Sequence, residues 1–186
     1  MYEHTNVQAC VQDGDLCTRL YLKGDEFSRF PYTKTLRQMG PHLKKLTIEN
    51  TDIKKIPPRI QELSNLKKLS ISNHEMKSSI PHELGFLTNL RKLSLPNNNL
   101  SGEIPQELMN LTNLEIFDVS DNKLAGEIPQ GVENLIHLNV FDVSYNDKMS
   151  GDMPKSLTNR IFTVENFRLS YIGTGIIGEQ PPKWTW

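Results

Sequence analysis

Two consecutive segments decide the fold: LRKLSLPNNNLSGEIPQELMNLTN at residues 90–113 and LEIFDVSDNKLAGEIPQGVENLIH at residues 114–137. They align without a gap over 24 residues, and apolar residues recur at the same seven positions in both. A repeat of this length indicates a solenoid, in which each copy is one coil that buries its apolar side against its neighbours. The chain is therefore expected to fold as a stack of similar coils.

The same rhythm extends in both directions along the chain. Further copies begin at Cys17, Leu43, Leu66, Leu138 and Val164. The copy at Leu138 carries an insertion near Lys148, and Val164, Phe167 and Leu169 are expected to take the first three apolar positions of the last copy. The sequence thus predicts about seven coils.

The spacing within a copy predicts its backbone path. Residues 93–95, apolar at both ends, form a short strand, and equivalent strands stacked about 4.8 Å apart make a parallel sheet. Asn98, Asn122 and Asn146 recur three residues after the strand, where a short amide can bind backbone groups of its own and neighbouring coils. We expect a buried asparagine ladder there, followed by an extended or loosely helical return containing the recurrent glycine and proline.

The residues from Asn98 to Pro105 and from Asn122 to Pro129 resemble the plant-type leucine-rich-repeat family, whose pattern is LxxLxLxxNxLxGxIPxxLxxLxx. The resemblance implies an α/β solenoid, a right-handed superhelix with a concave parallel sheet and frequently a second short sheet beside it. Receptor ectodomains and polygalacturonase-inhibiting proteins are similar, which implies recognition and an extracellular or cell-surface location. Their cysteine caps are not matched in this chain, although Cys10 is similar to one cap cysteine.

We expect one leucine-rich-repeat domain over residues 1–186. Residues 1–42 form the degenerate first coil and amino-terminal cap, residues 43–163 the regular repeats, and residues 164–186 the last coil and carboxy-terminal cap. Cys10 and Cys17 are the only cysteines, and two readings stay open. They close a small disulfide loop in an oxidising compartment, or Cys17 is a small core residue.

Composition excludes several classes of protein. The formal net charge is −1, so a nucleic-acid partner is not expected, and no apolar run approaches the length of a membrane span. Met1 to Cys10 lacks the basic and then apolar run of a signal peptide. The oligomeric state is not indicated by the sequence.

No pattern of catalytic or metal-binding residues is found, so we expect no enzyme, no cofactor and no metal. The histidines fall at unrelated repeat positions and lack metal-ligand spacing; they are His4, His42, His74, His82 and His137. Asp118 and Asp142 occupy one strand position of adjacent coils, like a pair of glycosidase acids. An open sheet without a pocket favours a structural role for them, with Arg168 next in the column as a counter-charge.

The outward strand positions carry the functional signal. Residues 1–93 contain 15 basic and 10 acidic residues, whereas residues 94–186 contain 6 basic and 12 acidic residues. The near-neutral total therefore conceals a positive first half and a negative second half. One interpretation is that the lysines only keep an exposed sheet solvated. The alternative is that the lysines form a strip that faces a ligand and is followed by an acidic and aromatic end of the same face. Predicted ligand-binding residues are Lys44, Lys45, Lys67, Lys68, Arg91, Lys92, Asp118, Asp142, Tyr145, Arg168 and Tyr171.

The sequence therefore predicts a protein–protein interaction module that binds a protein or peptide ligand on its concave face. The alternative is an enzyme inhibitor, or a glycan- or surface-binding protein, that uses an adjacent face.

Overall fold

Seven short strands, one from each coil, form a parallel sheet in the computed structural model, which describes residues 11–13, 16–23, 40–163 and 167–178. They are β2 (Leu16–Lys23), β3 (Lys45–Glu49), β4 (Lys68–Ser72), β5 (Lys92–Ser94), β7 (Ile116–Asp118), β9 (Val140–Asp142) and β11 (Arg168–Ser170). They pair in chain order, and β1 (Val11–Asp13) adds an antiparallel strand beside β2. The predicted α/β solenoid of seven coils with a concave parallel sheet is confirmed.

One apolar side chain from each strand points inward and stacks on its neighbours. The register aligns Leu20, Leu46, Leu69, Leu93, Phe117, Phe141 and Leu169 in a single column. The rings of Phe117 and Phe141 stack with centroids 5.3 Å apart. Each coil thus contributes its apolar residues to one continuous core, which is why a single coil cannot be stable alone.

The return path of the second to sixth coils is helical or extended, as predicted. Four coils return through 3₁₀ helices at Pro58–Glu62, His82–Phe86, Gln106–Asn110 and Val132–Asn134, and the sixth through the α-helix α1 (Lys155–Thr163). A second parallel sheet contains β6 (Ser101–Gly102), β8 (Lys123–Gly126) and β10 (Lys148–Met149). Gly126 has a φ of 77°, and an added Cβ would lie 2.9 Å from Glu103 Cγ, so glycine is required there.

The predicted asparagine ladder is present and buried. The Asn122 amide donates to the carbonyl oxygens of Val119 and Ser120 in its own coil and of Leu95 in the preceding coil. Its Oδ1 accepts the Leu100 N–H at 3.0 Å. Asn146 makes the equivalent bonds. Asn98 donates to the equivalent carbonyl groups, but its Oδ1 accepts the N–H of His74, two residues before the equivalent position. The ladder satisfies backbone groups that lie beyond the strand ends and that would otherwise be buried without partners.

His74 occupies the next rung of this ladder, a structural role that was not predicted from the sequence. Its backbone N–H donates to Asn98 Oδ1 at 2.9 Å, and its Nε2 accepts the Thr51 N–H at 3.2 Å. Within the described residues its buried Nδ1 has no hydrogen-bond partner. The imidazole can replace the acceptor of an asparagine, but it lacks the amide that donates to three carbonyl groups.

The last coil is shifted by two residues from the predicted register. Leu169 pairs with Phe141, so Leu169 and Tyr171 take the inward positions that were expected for Phe167 and Leu169. Gly173, with a φ of 72°, then continues a column of left-handed residues that includes Tyr145, and Thr174 occupies the ladder position. The apolar spacing of residues 164–169 fits the repeat pattern, but only the later register places residues of the right conformation after the strand.

Cys10 lies outside the described residues, so the question of a bridge to Cys17 stays a prediction. Most of residues 1–42, predicted to form the degenerate first coil and amino-terminal cap, lies outside the described part of the chain. So do residues 164–166 and 179–186 of the predicted last coil and carboxy-terminal cap.

Substitution of Asn122 by alanine should lower the free energy of unfolding by about 1–3 kcal/mol, because it leaves buried backbone groups without partners. Chemical denaturation at neutral pH measures the loss. The exposed Asn110→Ala is the matched control and should change stability by less than about 0.5 kcal/mol. Equal effects of the two substitutions would contradict a structural role for the ladder.

The His74 rung should make stability depend on pH. Burial lowers the pKa of His74 from its usual value, so near pH 6.5 the unfolded chain binds more protons than the folded chain. The free energy of unfolding should therefore be highest above about pH 6.5 and fall as the pH drops below it. His74→Asn should remove this part of the fall in denaturation curves between pH 5 and 7.5. The exposed His82→Asn should keep the wild-type profile; a profile unchanged by His74→Asn would refute the assignment.

Candidate ligand-binding face

The outward side chains of the seven-strand sheet form the concave face. Strand pairing aligns Lys45, Lys68 and Lys92 in one column, with Arg19 before them. Lys44, Lys67 and Arg91 lie one residue earlier in the chain, and backbone hydrogen bonds of 2.8 Å join successive members. We call the six residues from Lys44 to Lys92 the basic strip: Lys44, Lys45, Lys67, Lys68, Arg91 and Lys92. The structure therefore places these residues on adjacent strands of one sheet.

Most of the positive charge in the basic strip is not neutralised within the described residues. Arg91 is the exception, because its Nη1 donates to Glu115 Oε1 at 2.9 Å. None of the five lysines has a carboxylate oxygen within 4.0 Å in the part of the chain that the structure describes. Like charges on adjacent strands repel, so the strip lowers the stability of the sheet that carries it.

The column of Lys45 changes character where the fifth coil begins. Lys92 is followed by Ile116 and Val140, both half-buried, and then by Arg168. Arg168 therefore follows Val140, and the expectation that it follows Asp142 as a counter-charge was wrong, because the last coil is shifted by two residues. Ser170 follows Asp142 instead.

The neighbouring outward column changes from hydroxyl to carboxylate groups at the same point. It contains Thr47, Ser70 and Ser94, and then Asp118 and Asp142. These hydroxyl groups were not among the predicted ligand-binding residues because they carry no charge, although their place in the repeat could have identified them. Ser94 Oγ donates to Asp118 Oδ2 at 3.2 Å, which joins the two halves of this column.

Each carboxylate is held by the serine two residues later. Ser144 donates its backbone N–H at 3.0 Å and its Oγ at 2.5 Å to Asp142 Oδ1, and Ser120 holds Asp118 in the same way. Burial raises the pKa of Asp142; the Ser144 hydrogen bonds oppose this, and the charges of Asp118 and Asp121 add to it. The acidic end of the concave face is therefore ordered but electrostatically unfavourable.

The predicted aromatic end of the face is only partly present. Tyr145 is 57% exposed just beyond β9, but Tyr171 is 3% exposed and belongs to the core, so its predicted place on the surface was wrong. The neighbour of Tyr145 on the surface is Ile172, which is 58% exposed and whose carbonyl oxygen accepts the Tyr145 N–H at 2.7 Å. The correct register of the last coil would have revealed Ile172 from the sequence.

Asp142→Asn should stabilise the protein at neutral pH. The raised pKa means that the folded chain holds this proton more tightly than the unfolded chain, so wild-type stability falls as the pH rises above 3.8 through the folded value. The asparagine oxygen can still accept the Ser144 bonds. In thermal denaturation, the Tm of the variant should be higher than that of the wild type at pH 7, and the two Tm values should be equal near pH 3. The exposed Asp147→Asn should give no such pH-dependent difference; a less stable Asp142→Asn at pH 7 would contradict the electrostatic argument.

The described residues contain no group of three or more His, Cys, Asp or Glu side chains arranged to hold a metal ion. In the same part of the chain, every helix is too short or too polar to cross a bilayer.

Several solved structures are similar to this chain. A pollen receptor kinase 3 structure superposes with a TM-score of 0.80 at 26% identity, covering 94% of this chain and 82% of that one. The ectodomain of the Arabidopsis thaliana membrane receptor kinase GASSHO1/SCHENGEN3, in complex with CASPARIAN STRIP INTEGRITY FACTOR 2, gives 0.71 at 29% identity. The structure of the Arabidopsis receptor kinase HAESA, in complex with the peptide hormone IDA and the co-receptor SERK1, superposes with a TM-score of 0.63 at 28% identity.

The last two matches cover 86% and 87% of this chain but only 18% and 29% of the receptor chains, so this chain spans less than a third of their length. Among curated proteins, none matches the sequence significantly. The profile described as a leucine-rich repeat region matches residues 20–168, which is most of the chain and includes all of strands β3, β4, β5, β7 and β9. The chain therefore belongs to the leucine-rich-repeat family, in the form found in the ectodomains of plant receptor kinases.

Proposed function

We propose that this chain is a non-catalytic recognition module that binds a protein or peptide ligand on its concave face. The observation that carries the proposal is the unneutralised basic strip. A chain that needed lysines only for solubility could place them anywhere on its surface, whereas Lys45, Lys68 and Lys92 stand on adjacent strands in direct register. A ligand that supplied negative charge would relieve their repulsion.

The similar structures support a peptide or protein as the ligand. The GASSHO1/SCHENGEN3 ectodomain and HAESA were each solved with a partner, which is a peptide hormone in the case of HAESA. Their sequence identity to this chain, 28–29%, is consistent with a shared scaffold and a different ligand. In this fold the scaffold leaves specificity to the outward residues, so the partners of the relatives are not transferred to this chain.

The ligand-binding residues that we propose are Lys44, Lys45, Lys67, Lys68, Arg91, Lys92, Asp118, Asp142, Tyr145 and Arg168, with Ile172 in place of Tyr171. We also propose an extracellular or cell-surface location, which the ectodomain relatives support. A single domain is proposed over residues 1–186, with the first coil and amino-terminal cap in residues 1–42 and the last coil and carboxy-terminal cap in residues 164–186.

Reversal of the aligned lysines tests the proposed face. Partners would first be captured from an extract of the source organism by the immobilised chain and then measured individually by surface plasmon resonance. The triple variant Lys45→Glu, Lys68→Glu, Lys92→Glu should weaken binding by at least about tenfold, chiefly through slower association, and the loss should shrink at high salt. Tyr145→Asn, which suits the left-handed backbone, should speed dissociation instead.

Matched controls separate the concave face from the rest of the surface. The control triple variant changes the net charge by the same amount as the concave variant, but at exposed sites outside the seven-strand sheet. Its substitutions are Lys55→Glu, Lys77→Glu and Lys123→Glu. Phe86→Ala removes an aromatic ring that is 54% exposed on a 3₁₀ helix, similar to the 57% of Tyr145. Both controls should leave affinity unchanged. If the controls abolished binding and the concave variants did not, the proposed face would be wrong.

A further inference from the structure

We infer that the ligand presents a short acidic peptide segment to the basic strip, followed by an apolar residue that packs on Ile116 and Val140. This inference rests on the proposed function, because it assigns the chemistry of a ligand to the same concave face.

The basic strip requires negative charge from outside the described residues. Its five lysines have no ion-pair partner in the described part of the chain, and Lys44, Lys45, Lys67 and Lys68 are exposed. The adjacent column presents the half-buried Ser70, whose hydroxyl can donate to a carboxylate or to a ligand backbone, whereas Ser94 is buried and already donates to Asp118. A ligand carboxylate would thus find ammonium groups on three strands and the Ser70 hydroxyl on the central one.

The extent of the strip limits the length of the acidic segment. Strands β3 to β5 are two steps apart, so the aligned lysines extend over about 10 Å at about 4.8 Å per step. Beyond them the face carries Ile116 and Val140 in one column and Asp118 and Asp142 in the other. A ligand that continued to carry negative charge would meet these carboxylates and be repelled.

This alternation favours a peptide over a uniform polyanion. Nucleic acids and acidic polysaccharides repeat the same charge along their length, whereas a peptide can change from acidic to apolar between neighbouring residues. From β3 to β9 is four steps, or about 19 Å, which an extended chain of about six residues spans at about 3.3 Å per residue. The expected recognition element is therefore about six residues long, with two or three carboxylates at one end.

Selection from a random dodecapeptide library displayed on phage tests the inference with the full chain as bait. Selected peptides should share two or three Asp or Glu residues followed within a few positions by a large apolar residue. Synthetic copies should bind in fluorescence polarisation assays. Their affinity should fall at least about tenfold for the triple variant Lys45→Gln, Lys68→Gln, Lys92→Gln. The triple variant Lys55→Gln, Lys77→Gln, Lys123→Gln is the control and should bind normally. A hexaglutamate peptide should bind more weakly than the mixed peptide, because Asp118 and Asp142 repel its far end.

The possible failures are distinguishable. Peptides that lack acidic residues but lose binding with Tyr145→Asn would overturn the inference and leave concave-face binding in place. Selected peptides insensitive to every concave substitution would overturn both proposals. The absence of any selected peptide would overturn the inference alone, because the proposed function also allows a folded protein as the ligand. Tighter binding of heparin or hexaglutamate than of any mixed peptide, if lost with the concave triple variant, would show that the strip binds a uniform polyanion. This result would overturn the acidic-to-apolar ligand alone and leave concave-face binding in place.

Discussion

The buried side-chain amide after each strand is the interaction on which the other features depend. In a coil of 24 residues the backbone must leave the sheet immediately after its short strand. The turn leaves backbone carbonyl and N–H groups inside the stack without partners in the sheet. Asn98, Asn122 and Asn146 satisfy these groups in their own coil and in the preceding one. Burying such groups unpaired costs about 1–3 kcal/mol each, so the ladder both closes each turn and fixes the distance to the next.

The ladder is also the reason that the concave face is ordered. Because successive coils are bonded at the same place, successive strands start at the same place, and outward residues align as columns instead of scattering over a surface. The unfavourable features of the protein are concentrated in these columns: aligned lysines, the half-buried Asp142 carboxylate, and Tyr145 at a φ of 55°. Residues that lower the stability of the free protein are consistent with selection for binding.

The sequence was sufficient for the fold wherever the repeat is regular. The spacing of leucines and asparagines predicted the strands, the ladder and the basic strip, because these depend on the shared pattern and not on individual residues. Prediction from the sequence failed where a residue of another type takes the same structural role in the repeat. His74 replaces an asparagine in the ladder, and Tyr171 occupies a core position otherwise taken by aliphatic residues, so neither was recognised. The Arg91–Glu115 ion pair and the burial of Asp142 depend on side-chain positions that no spacing specifies.

The alignment of the columns has a consequence for how such a chain can diversify. Recombination within the gene that duplicates or removes one unit, such as residues 66–89, leaves every remaining coil with intact neighbours, because each contacts only the coils beside it. Removal of this unit would delete Lys67 and Lys68 together and bring Lys45 beside Lys92, which shortens the basic strip by one strand. In a lineage of such proteins, the length of the recognised segment can therefore change in whole steps through copy number, without any point mutation.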